Sequence, residues 1–287
     1  MKIAITGSNG FIGSELIKKL SKYEFVKIPH NLLYQSNDEL KTILINSDIV
    51  INLAGVSIQK SWTRRNKYLI YQSRVTTTRN LVKAISEINN RPKKLISVSA
   101  IGIYDTKNEH NEFSRNLSYD FLAKVVKDWE SAANFAKNYG LEVYILRLGI
   151  VLGQNGGIIK KLFPFFKLGL GTTIGNGNQP MSFIHIDDLI RIFEHAIEGK
   201  LQEGTFNAVS PHYTTNKEFS KALAKRLNKP LLFKIPEGLL HIIFGEGAKV
   251  IYSGQKVIPT KLLENNFVFK YPNIETAIDD IINKSLS

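Results

Sequence analysis

The first half of the chain alternates two hydrophobic patterns. "KIAIT" (2–6) is a short apolar run, and "FIGSELIKKL" (11–20) then sets Phe11, Leu16 and Leu20 at helical spacing. "FVKI" (25–28) and "DIVINLAG" (48–55) are further apolar runs, the second continuous enough to be covered on both faces. Residues 64–90 read as one long helix, "KKLISVS" (93–99) as a strand, 119–138 as a second long helix, and "LEVYILRLGIVLG" (141–153) as one more buried strand. Apolar strands that alternate with helices bury both of their faces only when helices cover the sheet on each side. The pattern therefore predicts an α/β fold, a doubly wound parallel sheet over residues 1–150.

After residue 150 the texture changes. "GQNGGIIKKLFPFFKLGLGTTIGNGNQ" (153–179) is rich in Gly and aromatics. Helices are expected at 158–168, 186–198, 214–228 and 273–284, with short strands near "SFIHI" and "TFNAV". Residues 151–287 read as a smaller α+β cap, with 183–210 returning to the first domain and a C-terminal unit at about 236–285.

Composition narrows the function. The 287 residues contain no cysteine, which excludes disulfides, cysteine-held iron–sulfur clusters and a thiol nucleophile, and fits a reducing compartment. Lys and Arg total 38 against 25 Asp and Glu, a formal charge of +13. The tightest basic pairs are "KK" at 18–19, 93–94 and 160–161 and "RR" at 64–65, so the charge reads as solvated faces rather than a nucleic-acid surface. A basic field also favours an anionic cofactor. Glu15, Lys18 and Lys19 interrupt any leader-like run, and "GLLHIIFG" is far too short to span a bilayer. A cytoplasmic protein with a small-molecule substrate and no membrane or nucleic-acid partner is expected.

Three glycines stand at the first strand–helix junction. Gly7 would allow the tight turn, Gly10 the approach of a pyrophosphate to the helix N-terminus, and Gly13 the packing of helix on strand. The spacing is G-x-x-G-x-x-G, and "TGSNGFIG" (6–13) resembles the extended short-chain dehydrogenase/reductase superfamily. "NLAG" (52–55), "SRVTTTRNL" (73–81), "ISVSAIGIY" (96–104), "LRLGIVLG" (146–153) and "MSFIHIDDL" (181–189) resemble later superfamily motifs in the right order. "WESAA", "IGNGNQPMSFIHIDD" and "GQKVIPTKLLENNFVF" look like its atypical "epimerase family protein" group, whose members carry a C-terminal domain of unknown function. Some members are labelled cell-division inhibitor homologues. The resemblance implies a Rossmann-type sheet and a dinucleotide held by Gly7, Ser8, Asn9, Gly10, Phe11, Ile12, Gly13, Leu53, Ala54, Gly55, Arg74 and Ser97.

One departure matters. Superfamily chemistry rests on Tyr-x-x-x-Lys, whose four-residue spacing stacks phenol and ammonium on one helix face. Four residues beyond Tyr119 stands Ala123; Lys124 lies about 140° around the helix and Lys127 about 12 Å along it. Counted back from "WE", the dyad positions fall on Leu122 and Val126. The catalytic candidates that remain are Ser99, at the superfamily's substrate-binding Ser, and Tyr104, the nearest phenol that could face the pocket.

Other residues read as structural: His185 as a hydrogen-bonding junction residue, Asp187 and Asp188 as a helix N-terminal pair, Arg147 in an ion pair, and Phe163, Phe165 and Phe166 as core. Trp62 and Arg64 read as a loop over the site, and no His/Asp/Glu group has metal-ligand spacing. Lys27 and His30 stand where an NAD-selective acid would be, so NADP is expected, with NAD as the alternative. The function is then an NAD(P)-dependent oxidoreductase or epimerase-like enzyme with a non-standard proton donor, or a non-catalytic NADP-binding regulator.

Overall fold

The computed structural model describes residues 1–34 and 38–286. The chain runs β1 (Lys2–Thr6), α1 (Phe11–Lys19), β2 (Glu24–Lys27), α2 (Asp38–Ile45), β3 (Ile49–Asn52), α3 (Arg64–Tyr71), α4 (Thr77–Ser86), β4 (Lys94–Ala100), β5 (Glu109–His110), α5 (Phe121–Asn134), β6 (Glu142–Leu148) and β7 (Ile150–Gly153). It continues through α6 (Gly157–Lys167), β8 (Gly171–Ile174), β9 (Pro180–Met181), β10 (Phe183–His185), α7 (Ile186–Ile197) and β11 (Gly204–Ala208). The last part holds β12 (Thr214–Thr215), α8 (Asn216–Arg226), β13 (Leu231–Ile235), α9 (Glu237–Phe244), α10 (Lys249–Tyr252), β14 (Lys256–Val257), α11 (Thr260–Glu264) and α12 (Ile274–Leu286).

Six strands form a parallel sheet in the order β11-β6-β4-β3-β1-β2. Alternate residues serve opposite faces, as a two-residue period requires. Ile3, Ile5, Ile49, Ile51, Ile96 and Leu146 pack with Leu16 of α1 and Leu189, Ile192 and Phe193 of α7. Ala4, Val50, Leu95, Val143 and Ile145 pack with Leu40 and Leu44 of α2, Leu81 and Ile85 of α4, and Ala133 of α5. This is the doubly wound Rossmann-type arrangement. Between β2 and β3 the described residues hold only a 3-10 turn (His30–Tyr34) and α2, so β2 is the sheet edge.

Three predicted elements are cut. The 64–90 helix is broken by a π turn at Gln72–Thr76 and ends at Ser86. The 119–138 helix starts at Phe121, capped by the Asp120 carboxylate accepting from Ala123 N–H at 3.0 Å, and gives way to a 3-10 turn at Phe135–Tyr139. The run "LEVYILRLGIVLG" splits at Gly149: β6 stays in the central sheet, while β7 pairs with β10. A Cβ on Gly149 would lie 2.5 Å from Ser182 O, so only glycine lets the two backbones meet where the chain changes sheets.

The C-terminal part is held by many small joints. Phe219 and Leu223 of α8 and Ile278, Ile281 and Ile282 of α12 share a core with Leu152, Ile159, Phe166 and Phe183. β13 runs parallel to β8, and β14 parallel to β5. Among the described residues, no helix is long and apolar enough to cross a membrane.

Candidate functional site

The end of β1 leads through a glycine turn into the start of α1, beside the end of β3. Gly7 turns with φ +66°, and Gly10 N–H donates to Gly7 O at 3.0 Å. Gly10 caps α1 with no side-chain hydrogen bond, and the first turn holds no acid. The amides of Phe11, Ile12 and Gly13 have no intrahelical acceptor and stand at the positive end of the helix dipole. Helices α3, α5 and α8 are instead closed by Thr63, Asp120 and Thr215.

The glycines divide the labour. A Cβ on Gly7 would meet Leu53 O at 2.8 Å, and one on Gly13 would meet Gly7 O at 2.4 Å. At Gly10 the nearest protein atom is Gly7 O at 3.2 Å, which leaves the space outside it open. Phe11 turns its ring away, into a second glycine loop: a Cβ on Gly156 would lie 2.2 Å from that ring. Among the other residues expected here, Gly7, Asn9 and Gly55 are exposed, Ser8 and Ala54 buried, and Ile12 and Leu53 half-buried.

A buried polar chain fixes the neighbouring turn. Thr6 Oγ1 accepts from the Leu53 and Ala54 amides at 2.9 and 3.1 Å and donates to Asn52 Oδ1 at 2.8 Å. Asn52 Nδ2 donates to Thr78 Oγ1 at 2.8 Å and to Ser97 Oγ at 3.2 Å, and Trp129 Nε1 donates to Thr78 Oγ1 at 3.0 Å. Ser97 is thus engaged inside the protein. Thr6, Thr78 and Trp129 lie in motifs the sequence reading used, but their shared bonding was not read there; a threonine ending an otherwise apolar strand beside the glycine turn was the available signal.

Arg74 comes from the π turn. Its guanidinium donates to Val56 O at 2.9 Å, lies 3.1 Å from where a Gly55 Cβ would be, and sits 5.5 Å from the Trp129 ring. Burial lowers its pKa to about 10.

At the ends of β4 and β6 the side chains bond to one another. Ser99 Oγ donates to Glu130 Oε1 at 2.6 Å, Arg147 donates to both Glu130 oxygens at 2.8 and 2.7 Å, and Arg147 Nη1 donates to Tyr104 Oη at 2.7 Å. Tyr104 Oη donates to Asn207 Oδ1 at 2.9 Å. Tyr104 is 0% exposed, so the expected pocket-facing phenol is corrected to a packed one. Burial raises its pKa, against the opposing pull of Arg147. Burial lowers and the Glu130 bonds raise the Arg147 pKa, with a net upward shift. Leu122 is half-buried and Val126 buried. Tyr119 is 95% exposed, with the Lys127 ammonium 5.5 Å from its ring centre.

Trp62 is pinned: its indole N–H donates to Ile58 O at 3.0 Å, and its ring meets Phe121 edge-on at 5.4 Å and packs against Gly247. Of the three phenylalanines expected in the core, Phe166 is buried, Phe163 half-buried and Phe165 exposed. His185 caps α7, its Nδ1 accepting from Asp187 N–H at 3.1 Å. The fold brings His185, Asp187 and Asp280 ligand atoms within 4.8 Å of one another, which no sequence spacing announced. Because Nδ1 is an acceptor, the ring proton is on Nε2, 3.2 Å from Asp280 Oδ2 but not aligned as a hydrogen bond. That tautomer offers a metal no lone pair, and Lys19 and Lys284 already pair with Asp187. Asp188 is fully buried and accepts from the Lys270 and Tyr271 amides, both at 2.9 Å.

Residues 3–209 match the model of the NAD dependent epimerase/dehydratase family. The chain belongs to this family. Residues 235–281 match a domain of unknown function, DUF1731. The mouse epimerase family protein SDR39U1 is 33% identical over 295 residues, spanning 98% of this chain and 100% of its own. A Staphylococcus epidermidis epimerase family protein is 33% identical over 292 residues, spanning 97% and 98%. The crystal structure of human SDR39U1 (isoform 2) with NADPH superposes with a TM-score of 0.90 at 30% identity, over 99% of both chains. The Rossmann-type fold and the family expected from the glycine turn and the later motifs are both borne out.

Proposed function

We propose that this protein binds NADP(H) across the ends of β1, β3 and β4 and acts as an oxidoreductase or nucleoside-diphosphate-sugar-epimerase-like enzyme on a small molecule. The observation that carries the reading is the uncapped start of α1 above Gly7 and Gly10, where free amides and the helix dipole face open space. The related human protein crystallised with NADPH supports the same cofactor. Residues 25–34 contain no acid, and Lys27 and His30 are exposed at the end of β2, which favours a 2′-phosphate over free ribose hydroxyls. The backbone of residues 7–13 and 53–55 would hold the dinucleotide, with Arg74 beside it. Such a cofactor supplies hydride transfer; the chain's own part is to orient it and to exclude water.

The closed network around Ser99 favours a second reading, an NADP-binding regulator without turnover. Ser99 and Tyr104 already spend their hydroxyls on Glu130, Arg147 and Asn207, and Leu122 and Val126 offer no proton. Pre-reduced and oxidised cofactor, each mixed with a panel of sugar nucleotides, aldehydes and ketones, tests the pair by absorbance. Turnover with any substrate supports the enzyme. Tight binding without turnover across the panel supports the regulator, and failure to bind either dinucleotide sinks both.

A further inference from the structure

Phe165, expected in the core, stands in solvent, and it is not alone. Ile159 and Phe166 fill the inward face of α6, so Phe165 and, just past the helix end, Leu168 are left outside. Gly169 then turns the chain back with φ +78°, and Leu170 N–H donates to Phe165 O at 2.9 Å. Leu170, just before β8, is exposed as well.

The neighbouring strand adds two more. β13 pairs only with β8 among the described residues, and its register slips between Leu231 and Phe233. That bulge breaks the in-out alternation: Leu231 packs against the core shared by α8 and α12, whereas Leu232 and Phe233 both face solvent. The two pieces meet, since a Cβ on Gly169 would lie 3.8 Å from Pro230 and one on Gly171 would lie 3.4 Å from Leu231. Five large apolar side chains are thus gathered at one corner of the C-terminal part. Single exposed apolar residues are ordinary, but a gathered group marks a surface made for contact.

The charges indicate with what. Lys167, Lys229 and Lys234 stand on the same segments, all exposed, and none pairs with a carboxylate among the described residues. No acid lies between Glu142 and Asp187, or between Glu218 and Glu237. The Glu237 carboxylate turns to Gly175, at the far end of the strand pair. The adjoining hollow sets Lys221, Lys225 and Lys229 against Glu218 and Glu275, so the excess of cations continues there. Leu168 and Leu232 are 74% and 72% exposed, too prominent to line a groove. Projecting apolar tips beside ammonium groups suit a bilayer surface, where the tips enter the acyl boundary and the cations meet anionic headgroups. A second copy of this chain is a poorer occupant, because it would bring the same lysines face to face. Lying on a bilayer needs no spanning helix.

We infer that the corner formed by the end of α6, the start of β8 and β13 docks on a membrane surface that carries anionic lipid. The inference stands apart from the dinucleotide reading.

The test mixes the full chain with vesicles of phosphatidylcholine, alone or with about one third phosphatidylglycerol, and follows binding by co-sedimentation. Three proteins are compared: wild type, Leu168→Ser with Leu232→Ser, and Lys167→Glu with Lys234→Glu. Wild type should bind the mixed vesicles at least about tenfold more tightly than the neutral ones, and salt raised from about 0.1 to about 0.5 M should weaken that binding. Each double variant should bind the mixed vesicles about tenfold more weakly than wild type. Their melting temperatures should match wild type, since the replaced side chains are exposed. Failure of wild type to bind mixed vesicles overturns the inference. Equal binding to both vesicles, or unchanged binding by either double variant, overturns it too. A concentration-dependent dimer in sedimentation, dispersed by the Leu variant, would assign the face to a second copy instead. Should a double variant not fold, the single changes Leu232→Ser and Lys234→Glu carry the same comparison.

Discussion

The glycine turn after β1 and the Ser99 network at the ends of β4 and β6 are built on opposite principles. At the glycine turn donors are left open: α1 begins uncapped, Gly10 keeps its outer side open, and Arg74 has no carboxylate partner among the described residues. At the other end Ser99, Glu130, Arg147, Tyr104 and Asn207 bond to one another. Unmet hydrogen-bonding capacity marks where a ligand is awaited, and a saturated network marks where rigidity was bought instead. The contrast teaches that one fold can leave donors open at one set of strand ends and close a polar network at another.

The contrast breaks most visibly at the glycines. Gly10→Val should reduce NADPH affinity by about a hundredfold or more while leaving the melting temperature nearly unchanged, because the new side chain enters ligand space. Gly13→Val should lower stability by roughly 1–3 kcal/mol, since its Cβ drives into Gly7 O. Calorimetry and thermal melts on the two variants check the division, and equal stability losses would refute it.

Next in size is the saturated end. Glu130→Ala should cost about 3–5 kcal/mol by stranding Arg147, whereas Ser99→Ala should cost only about 1 kcal/mol. Urea unfolding of both variants measures this. If Ser99→Ala proves the more damaging, the network is not organised around the ion pair.

A smaller effect belongs to His185. Burial lowers its pKa from 6.5 to about 4, with Asp187 and Asp280 partly opposing. The unfolded chain therefore takes up a proton between these values and the folded one does not, so stability falls as pH drops from about 6.5 to about 4. The loss is on the order of 3 kcal/mol. Asp187, held to about 2 by Lys19 and Lys284 against its burial, extends the decline at lower pH. His185→Asn keeps a capping acceptor and should flatten the upper part of that profile in melts across pH. The smallest effect expected is Tyr119→Phe, within about 0.5 kcal/mol and without change in NADPH affinity, because the ring is almost wholly exposed.

Periodicity and glycine spacing carried most of the fold. The alternation of "KIAIT" and "DIVINL" reported two-sided burial, and the three glycines reported the cradle, because both depend on local geometry. What stayed hidden depends on contacts across the chain. Gly149 looks like an ordinary strand residue until Ser182 lies against it, and the π turn at 72–76 is invisible in a threonine-rich helix. Tyr104 stood as a candidate that could face the pocket because its partners Arg147 and Asn207 lie far along the sequence. The meeting of His185, Asp187 and Asp280 likewise awaited α12.

The pocket around the Phe11 ring has a consequence for how the molecule assembles. The residue that opens α1 is cupped by Gly153 and Gly156, from the far side of the chain's midpoint. Such a contact closes a long loop, and long loops form slowly. On a ribosome, residues 1–20 would emerge with their glycine turn complete in sequence yet unsupported in space. The start of α1 gains its packing from Gly153 and Gly156 only when residues 150–157 arrive, so a nascent segment holding residues 1–149 alone would lack that support.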